Sequence, residues 1–304
     1  MKACRLAFDA LSGWTADDHA AALGAYAATS DLLDEDWPRA GGTSARAFFE
    51  RNFTPVLLGD PPALLTGYYE PEVEGVLSPI GDFRHPLHAM PDDIGDAPWF
   101  VRSEILGSDL LAGKELVWLS SAIEAFLAQV QGSVRVRLPD GSVRRFGFAG
   151  RNGHPYRSIG AELVRRGEIS ESAMSAEAIR AWCATHPESV AELLNHNPSY
   201  VFFRPLDLSE DSGPPGATGR PVTPGRSLAV DPEHIPLGAP VWVEADGIRS
   251  LMIAQDTGSA IRGPQRGDIF CGSGEAAGRR AGSMRLRGRM VVLLPHARAA
   301  RLSP

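Results

Sequence analysis

The final third of the chain constrains the fold most. Between residues 227 and 295, short apolar runs (SLAVD, APVWVEA, IRSLMIAQD, GDIFC and GRMVVLLP) alternate with turns containing Pro or Gly. Runs this short, rich in Val, Ile and Leu, read as strands, and their close spacing predicts a small β-barrel. One Gly-rich helical turn, EAAGRRAGSM, interrupts them before the last strand.

The rest of the chain mixes periods. Thr15 is placed to cap a helix through DDHAAALGAYAATSDLL, and Ser44 a second helix that carries Phe48 and Phe49. TGYYEPEVEGVLSP is extended, whereas 80–114 is irregular. LVWLSSAIEAFLAQVQ reads as one amphipathic helix closed by Gly132. SVRVRL and SVRRFGF flank Pro139-Asp140-Gly141 and predict a hairpin. Short helices start near Ser158, Ser175 and Pro187, SYVFFR is a strand, and 207–226 is a Gly/Pro-rich loop.

At 304 residues the chain can hold two modest domains, and 32 Gly with 24 Pro favour a strand-rich fold over a bundle. A net charge of −7 argues against nucleic acid, which needs clustered cations. Five arginines between 279 and 289 read as a local feature. Cys4, Cys183 and Cys271 are too scattered for a disulfide framework or a zinc site, and the latter two read as buried thiols. No run approaches the ~20 apolar residues of a membrane span. The N-terminus shows no secretion signal, having neither an apolar core nor a small-residue cleavage site.

Three aspartates end apolar runs: Asp231 in SLAVDP, Asp256 in MIAQDTGSAI and Asp268 in PQRGDIF. Asp at such positions is ordinarily a turn residue. Asp268 differs, because Ile269 and Phe270 follow it, and apolar neighbours raise a carboxyl pKa toward that of a general acid. A lone Asp-Thr-Gly does not make an aspartic protease, which needs two such carboxylates sharing a proton. The cluster Thr66 to Glu72 places Tyr68 and Tyr69 beside two carboxylates, which suits a glycan groove or a packed edge strand equally well. Gln131 and Ser133 in QVQGS, and His154 and Tyr156 in GRNGHPYRS, add polar groups on turns.

The motifs also have an order. TGYYEPE, AFLAQVQGS, GRNGHPYRSIG, NPSYVFFR, PVTPGRSLAVDPEHIPLGAPVWV and QDTGSAIRGPQRGDIFCGSG follow one another as in the membrane-bound lytic murein transglycosylase A family, which the chain resembles from about Leu64 to Leu294, roughly three quarters of its length. The resemblance implies a mainly β fold with α (α+β). It predicts a double-psi β-barrel catalytic domain (1–69 and 206–304) with N-terminal helices. A smaller inserted β-barrel domain (70–205) would complete the molecule, with the substrate groove between the two. Asp231, Asp256 and Asp268 fall on the positions of its three-aspartate domain, with Asp268 as the catalytic residue and Asp256 a second carboxylate at the same site. Thr66, Tyr68, Tyr69, Gln131, Ser133, Tyr156 and Asp231 would bind substrate.

The implied activity is a peptidoglycan lytic exotransglycosylase, a lyase. It cleaves the β-1,4 bond between N-acetylmuramic acid and N-acetylglucosamine without hydrolysis and leaves 1,6-anhydromuramic ends. It needs neither cofactor nor metal. Its partner is the peptidoglycan glycan strand, and the implied state is a periplasmic monomer associated with the outer membrane. Two departures stand out: no lipidated cysteine is visible, and Pro264 lies in the loop between Asp256 and Asp268. The rival readings are a hydrolytic glycosidase on a related barrel and a non-catalytic wall-binding module.

Overall fold

The structure, a computed structural model, describes residues 2–42, 44–95, 97–209 and 211–302. Among them the chain forms fourteen strands. The first half holds β1 (Ala3–Arg5), β2 (Phe53–Leu58), β3 (Ala63–Glu70), β4 (Glu72–Val76), β5 (His85–His88), β6 (Glu115–Leu119) and β7 (Ser133–Arg137). The second half holds β8 (Val143–Arg151), β9 (Val201–Leu206), β10 (Ser227–Val230), β11 (Pro240–Ala245), β12 (Ile248–Thr257), β13 (Arg266–Ser273) and β14 (Arg285–Pro295). Two compact units result. One comprises Met1–Tyr69, Glu210–Gly272 and Arg279–Pro304, the other Glu70–Ser209 and Ser273–Gly278.

The first unit is built on a closed six-stranded barrel in the order β14-β11-β12-β10-β13-β3, with β3 returning to β14. Closure leaves no exposed edge within the ring. The strands run mainly antiparallel, but β10 lies parallel to β12, as a double-psi barrel requires. β1 and β2 extend the sheet beyond β14. Leu65, Leu228, Val241, Trp242, Ile253, Ile269 and Met290 fill the core and are almost wholly buried. Each large apolar side chain removed from water contributes about 1.5–3 kcal/mol.

The helix His19–Ser30 packs on this core through Ala22, Ala25, Tyr26 and Thr29, spaced as one helical face. Its cap is Asp18, whose Oδ1 accepts the Ala21 N–H at 3.0 Å, and not Thr15. Packing overrides the Thr15 signal. Trp14 is buried edge-on against Trp242 at 5.2 Å, so Trp14–Ala16 is held as a separate 3-10 turn.

The second unit carries a six-stranded sheet ordered β5-β6-β4-β7-β8-β9. Among the described residues a parallel bridge from Ala89, just after β5, to Phe203 on β9 joins the two edges and brings the sheet near closure. Leu116 to Leu119, expected to open a helix, belong to β6. Val117 and Leu119 are buried and Leu116 and Trp118 less so, a period of two, and the helix begins only at Ala122. β5 and the short helix Arg102–Leu106 order part of the segment read as irregular. Glu70 is fully buried in this unit. It accepts from Arg135 Nε at 2.7 Å, Arg145 Nη2 at 2.9 Å and Ser273 Oγ at 2.8 Å.

Candidate active site

The chemistry of the first unit gathers around β10. Ala229 pairs with Asp268 on β13 at one side and with Asp256 on β12 at the other. The alignment depends on a bulge: Leu228 pairs with Ala254, but the next residue pairs with Asp256, so Gln255 is skipped. Gln255 is fully buried there, taking the Ser227 hydroxyl on Oε1 and donating from Nε2 to Ala25 O at 3.0 Å. A bulge of this kind re-aims the following side chain. Here that side chain is Asp256.

Along β3 and β13 the barrel's inner residues are Leu65, Gly267 and Ile269. Side chains alternate across a strand. Thr66 and Tyr68 on β3, with Arg266, Asp268 and Phe270 on β13, therefore share the outer face. Gly67, between the two β3 residues, has no room for a side chain: a Cβ would sit 2.9 Å from Ala281 Cα and from Cys271 Sγ.

The hydrogen bonds divide the two carboxylates. Thr66 Oγ1 donates to Asp268 Oδ1 at 2.5 Å and accepts from Arg266 Nη2 at 2.9 Å. Asp256 has both oxygens engaged: Tyr68 Oη donates to Oδ2 at 2.7 Å, and the backbone N–H groups of Ala217 and Thr257 donate to Oδ1 at 3.0 and 2.8 Å. The Tyr68 ring also lies 5.2 Å from Phe270.

Burial pushes the Asp268 carboxyl up to about 6, against the pull of the Thr66 hydroxyl and Arg266, and Asp256 adds to the rise. Like-charge repulsion thus acts in the expected direction but after burial. Burial also raises Asp256, opposed by its three donors. The Tyr68 phenol is held well above its ordinary value by burial and by Asp256, so it stays a donor. Arg266 is lowered by burial, with Asp268 opposing. Burial pushes the Cys271 thiol up to about 11.

Asp231 follows β10 and is nearly buried. Its Oδ2 accepts the Gly263 N–H at 2.7 Å, its Oδ1 the Glu233 N–H at 3.2 Å, and Arg262 lies 3.6 Å away. The Gly263 N–H holds this carboxyl below the usual range. Tyr69 closes the first unit's stretch of β3 and is half-buried. Gln131, Ser133 and Tyr156 belong to the second unit: Gln131 ends the helix Ala122–Gln131, Ser133 opens β7 and is buried, and Tyr156 is half-buried after β8. Arg266 and Gln255 were not among the sequence candidates. Arg266 sits two residues before Asp268 on the same strand face, a spacing that could have pointed to it. Among the described residues no three His, Cys, Asp or Glu side chains group as metal ligands.

Residues 64–204 match the family described as the MltA specific insert domain, and residues 226–294 the 3D domain. A crystal structure of a membrane-bound lytic murein transglycosylase from Agrobacterium tumefaciens is similar over 99% of both chains, with 32% identity and a TM-score of 0.90. The chain belongs to the membrane-bound lytic murein transglycosylase A family. Among that family's curated members, the Escherichia coli K12 protein is 39% identical over 241 residues, covering 75% of this chain. The chain spans 64% of that relative's length. The family also includes Escherichia coli MltA with bound chitohexaose, 31% identical over 97% of this chain and 92% of that one, with a TM-score of 0.77.

Proposed function

We propose that the protein is a peptidoglycan lytic transglycosylase, cleaving between N-acetylmuramic acid and N-acetylglucosamine with Asp268 as its single acid and base. Membership of the family supports this reading. So does the bound chitohexaose, an oligosaccharide, in the Escherichia coli relative. The observation that carries it is the division of labour between the carboxyls. Asp268 is raised to about 6, where an acid can still be protonated near neutrality. Asp256 has both oxygens occupied by three donors, a poor state for the attacking nucleophile of a two-carboxylate hydrolase.

Protonated Asp268 gives its proton to the glycosidic oxygen as the bond to muramic C1 breaks. The N-acetylglucosamine leaves with that proton. The muramic C6 hydroxyl attacks C1, and Asp268 takes the hydroxyl proton, which returns it to its starting form. The product is a 1,6-anhydro sugar, and no water is consumed. Asp256, whose oxygens accept from Tyr68 and two backbone N–H groups, stabilises the oxocarbenium-like charge in its ionised form. Thr66 and Arg266 orient Asp268, while Tyr68, Tyr69, Gln131, Ser133 and Tyr156 are the proposed sugar contacts.

Residues 1–69 and 206–304 are the proposed catalytic domain and 70–205 the inserted one. The relatives' name, membrane-bound, supports association with a membrane, and a periplasmic site of action at the outer membrane is part of the proposal. No helix among the described residues is long and apolar enough to cross a membrane. A lipid anchor and a monomeric state complete the proposal.

Mass spectrometry of digested sacculi tests the reaction. Anhydromuramic ends, one water lighter than reducing ends, are expected, and exclusively reducing muramic ends would sink the proposal in favour of a hydrolase. Asp268→Asn should lower turnover by about a hundredfold or more with sacculus binding kept, since an amide supplies no proton. A wall-binding module would lose nothing with this change.

A further inference from the structure

Residues 279–289 read RRAGSMRLRGR, with five arginines and no acidic residue, in a chain of net charge −7. Arg289 is committed to the fold. It pairs with Glu244 at 2.8 Å and donates to Ala10 O at 2.6 Å. Arg279 and Arg280, on the last turns of the helix Gly274–Gly282, and Arg285 and Arg287, on β14, are all exposed. Arg279 and Arg285 also interact within the protein. Among the described residues, no ion pair holds Arg280 or Arg287.

Register places this charge beside Asp268. Leu286 packs on the barrel core and pairs with buried Leu65, so its neighbours Arg285 and Arg287 project from the outer face that also bears Thr66. Arg285 is the direct partner of Thr66, whose hydroxyl bonds Asp268. Opposed side chains on antiparallel strands start about 5 Å apart. A cationic surface therefore begins two strands from the proposed acid, with only β3 between.

The murein reading, on which this inference rests, supplies an anionic partner. Each muramic residue carries a short peptide on its lactyl group, and that peptide bears free carboxylates. The bond to be cleaved is made by C1 of such a residue, so its peptide hangs close to the acid. We propose that Arg279, Arg280, Arg285 and Arg287 form a receptor for the stem-peptide carboxylates of the muramic residue being cleaved. The arginines read the substrate's decoration, and the barrel face reads its sugars. Guanidinium forks suit carboxylates, and exposure makes the contact sensitive to salt.

The test compares glycan strands that carry stem peptides with strands stripped by an amidase. In the Arg285→Gln/Arg287→Gln double variant, the ratio of kcat/KM on stemmed to stripped strands should fall about tenfold, the order expected from a few exposed ion pairs. Added salt should lower the same ratio in the unaltered protein. Arg287→Glu alone, at a position with no ion-pair partner among the described residues, should lower it more than Arg287→Gln. An unchanged ratio, or a parallel fall on both strands, would overturn the receptor. Loss of binding to phosphatidylglycerol vesicles with the ratio intact would assign the patch to a membrane surface and overturn it too. An unaltered protein inert on both strands would instead bring down the murein reading.

Discussion

Asp256 and Asp268 lie on strands either side of β10 and share one register partner, Ala229. The hydrogen-bond donors around each then set them apart. Asp256 takes three donors on its two oxygens, Asp268 one hydroxyl. Burial raises both carboxyls, opposed at Asp256 by its three donors and at Asp268 by the Thr66 hydroxyl and Arg266.

Thr66 donates to Asp268 and so favours its ionised form. Thr66→Val removes that donor and should raise the carboxyl further above about 6. The proposed acid must begin protonated, so kcat/KM falls as pH rises through its pKa, and the variant's descending limb should move to higher pH. Thr66→Ser, which keeps the hydroxyl, should hold the limb in place. A pH–rate profile on soluble glycan strands reads both, and a limb that moves down would reject the assignment.

A raised carboxyl also has a cost in stability. The unfolded chain loses the Asp268 proton near 3.8, the folded chain only near 6, so ionisation above 3.8 favours the unfolded state. Asp268→Asn should therefore melt at a higher temperature than the unaltered protein at pH 7. The advantage should shrink as pH falls through 6 and vanish below 3.8. Calorimetry across that range checks it. An equal melting difference at pH 3 and pH 7 would mean that packing, not charge, is responsible.

Tyr68→Phe keeps the ring against Phe270 and removes the phenol that donates to Asp256. A hydrogen bond to a charged group contributes about 1.5–3 kcal/mol, so a fall in kcat of roughly ten- to a hundredfold is expected, with KM much less changed. Steady-state kinetics on the same strands would show it. A change confined to KM would make Tyr68 a sugar contact alone.

Glu70 anchors the second unit through Arg135, Arg145 and Ser273 with no solvent to share the charge. Glu70→Gln removes the charge that Arg135 and Arg145 share. It should cost about 3 kcal/mol of stability, the lower end for a broken buried pair. Urea unfolding measures this, and a loss below 1 kcal/mol would mean that water replaces the carboxylate.

The barrel strands were readable because Val, Ile and Leu runs between Gly and Pro leave few alternatives, and β10 to β14 appear where those runs lie. Ser44, Ser158 and Ser175 were equally readable as caps, each accepting a backbone N–H three residues on. What the residue pattern could not show is set by distant partners. Leu116 to Leu119 followed the strands beside them into β6, and Trp14 followed Trp242. The alignment of Asp256 with Asp268 rests on Gln255, whose buried bonds to Ser227 and Ala25 join segments far apart in the chain. Ala217, a plain loop residue, contributes through its backbone N–H, which no side-chain motif announces. The three aspartates were visible as candidates, whereas the donors that make them unequal were visible only in part.

The ring of strands closes when β3 meets β14, and Thr66 reaches Asp268 across a sequence separation of 202. Ordering so long a loop comes late, after local structure has formed, because its entropy is lost before the contact returns anything. Until β3 has docked beside β13, Asp268 lacks the Thr66 hydroxyl and the strand next to it, and a carboxyl left in water loses the burial that raises it. Closure of the barrel therefore acts as an arming step for the proposed acid: the raised carboxyl belongs to the assembled ring and to no single strand of it.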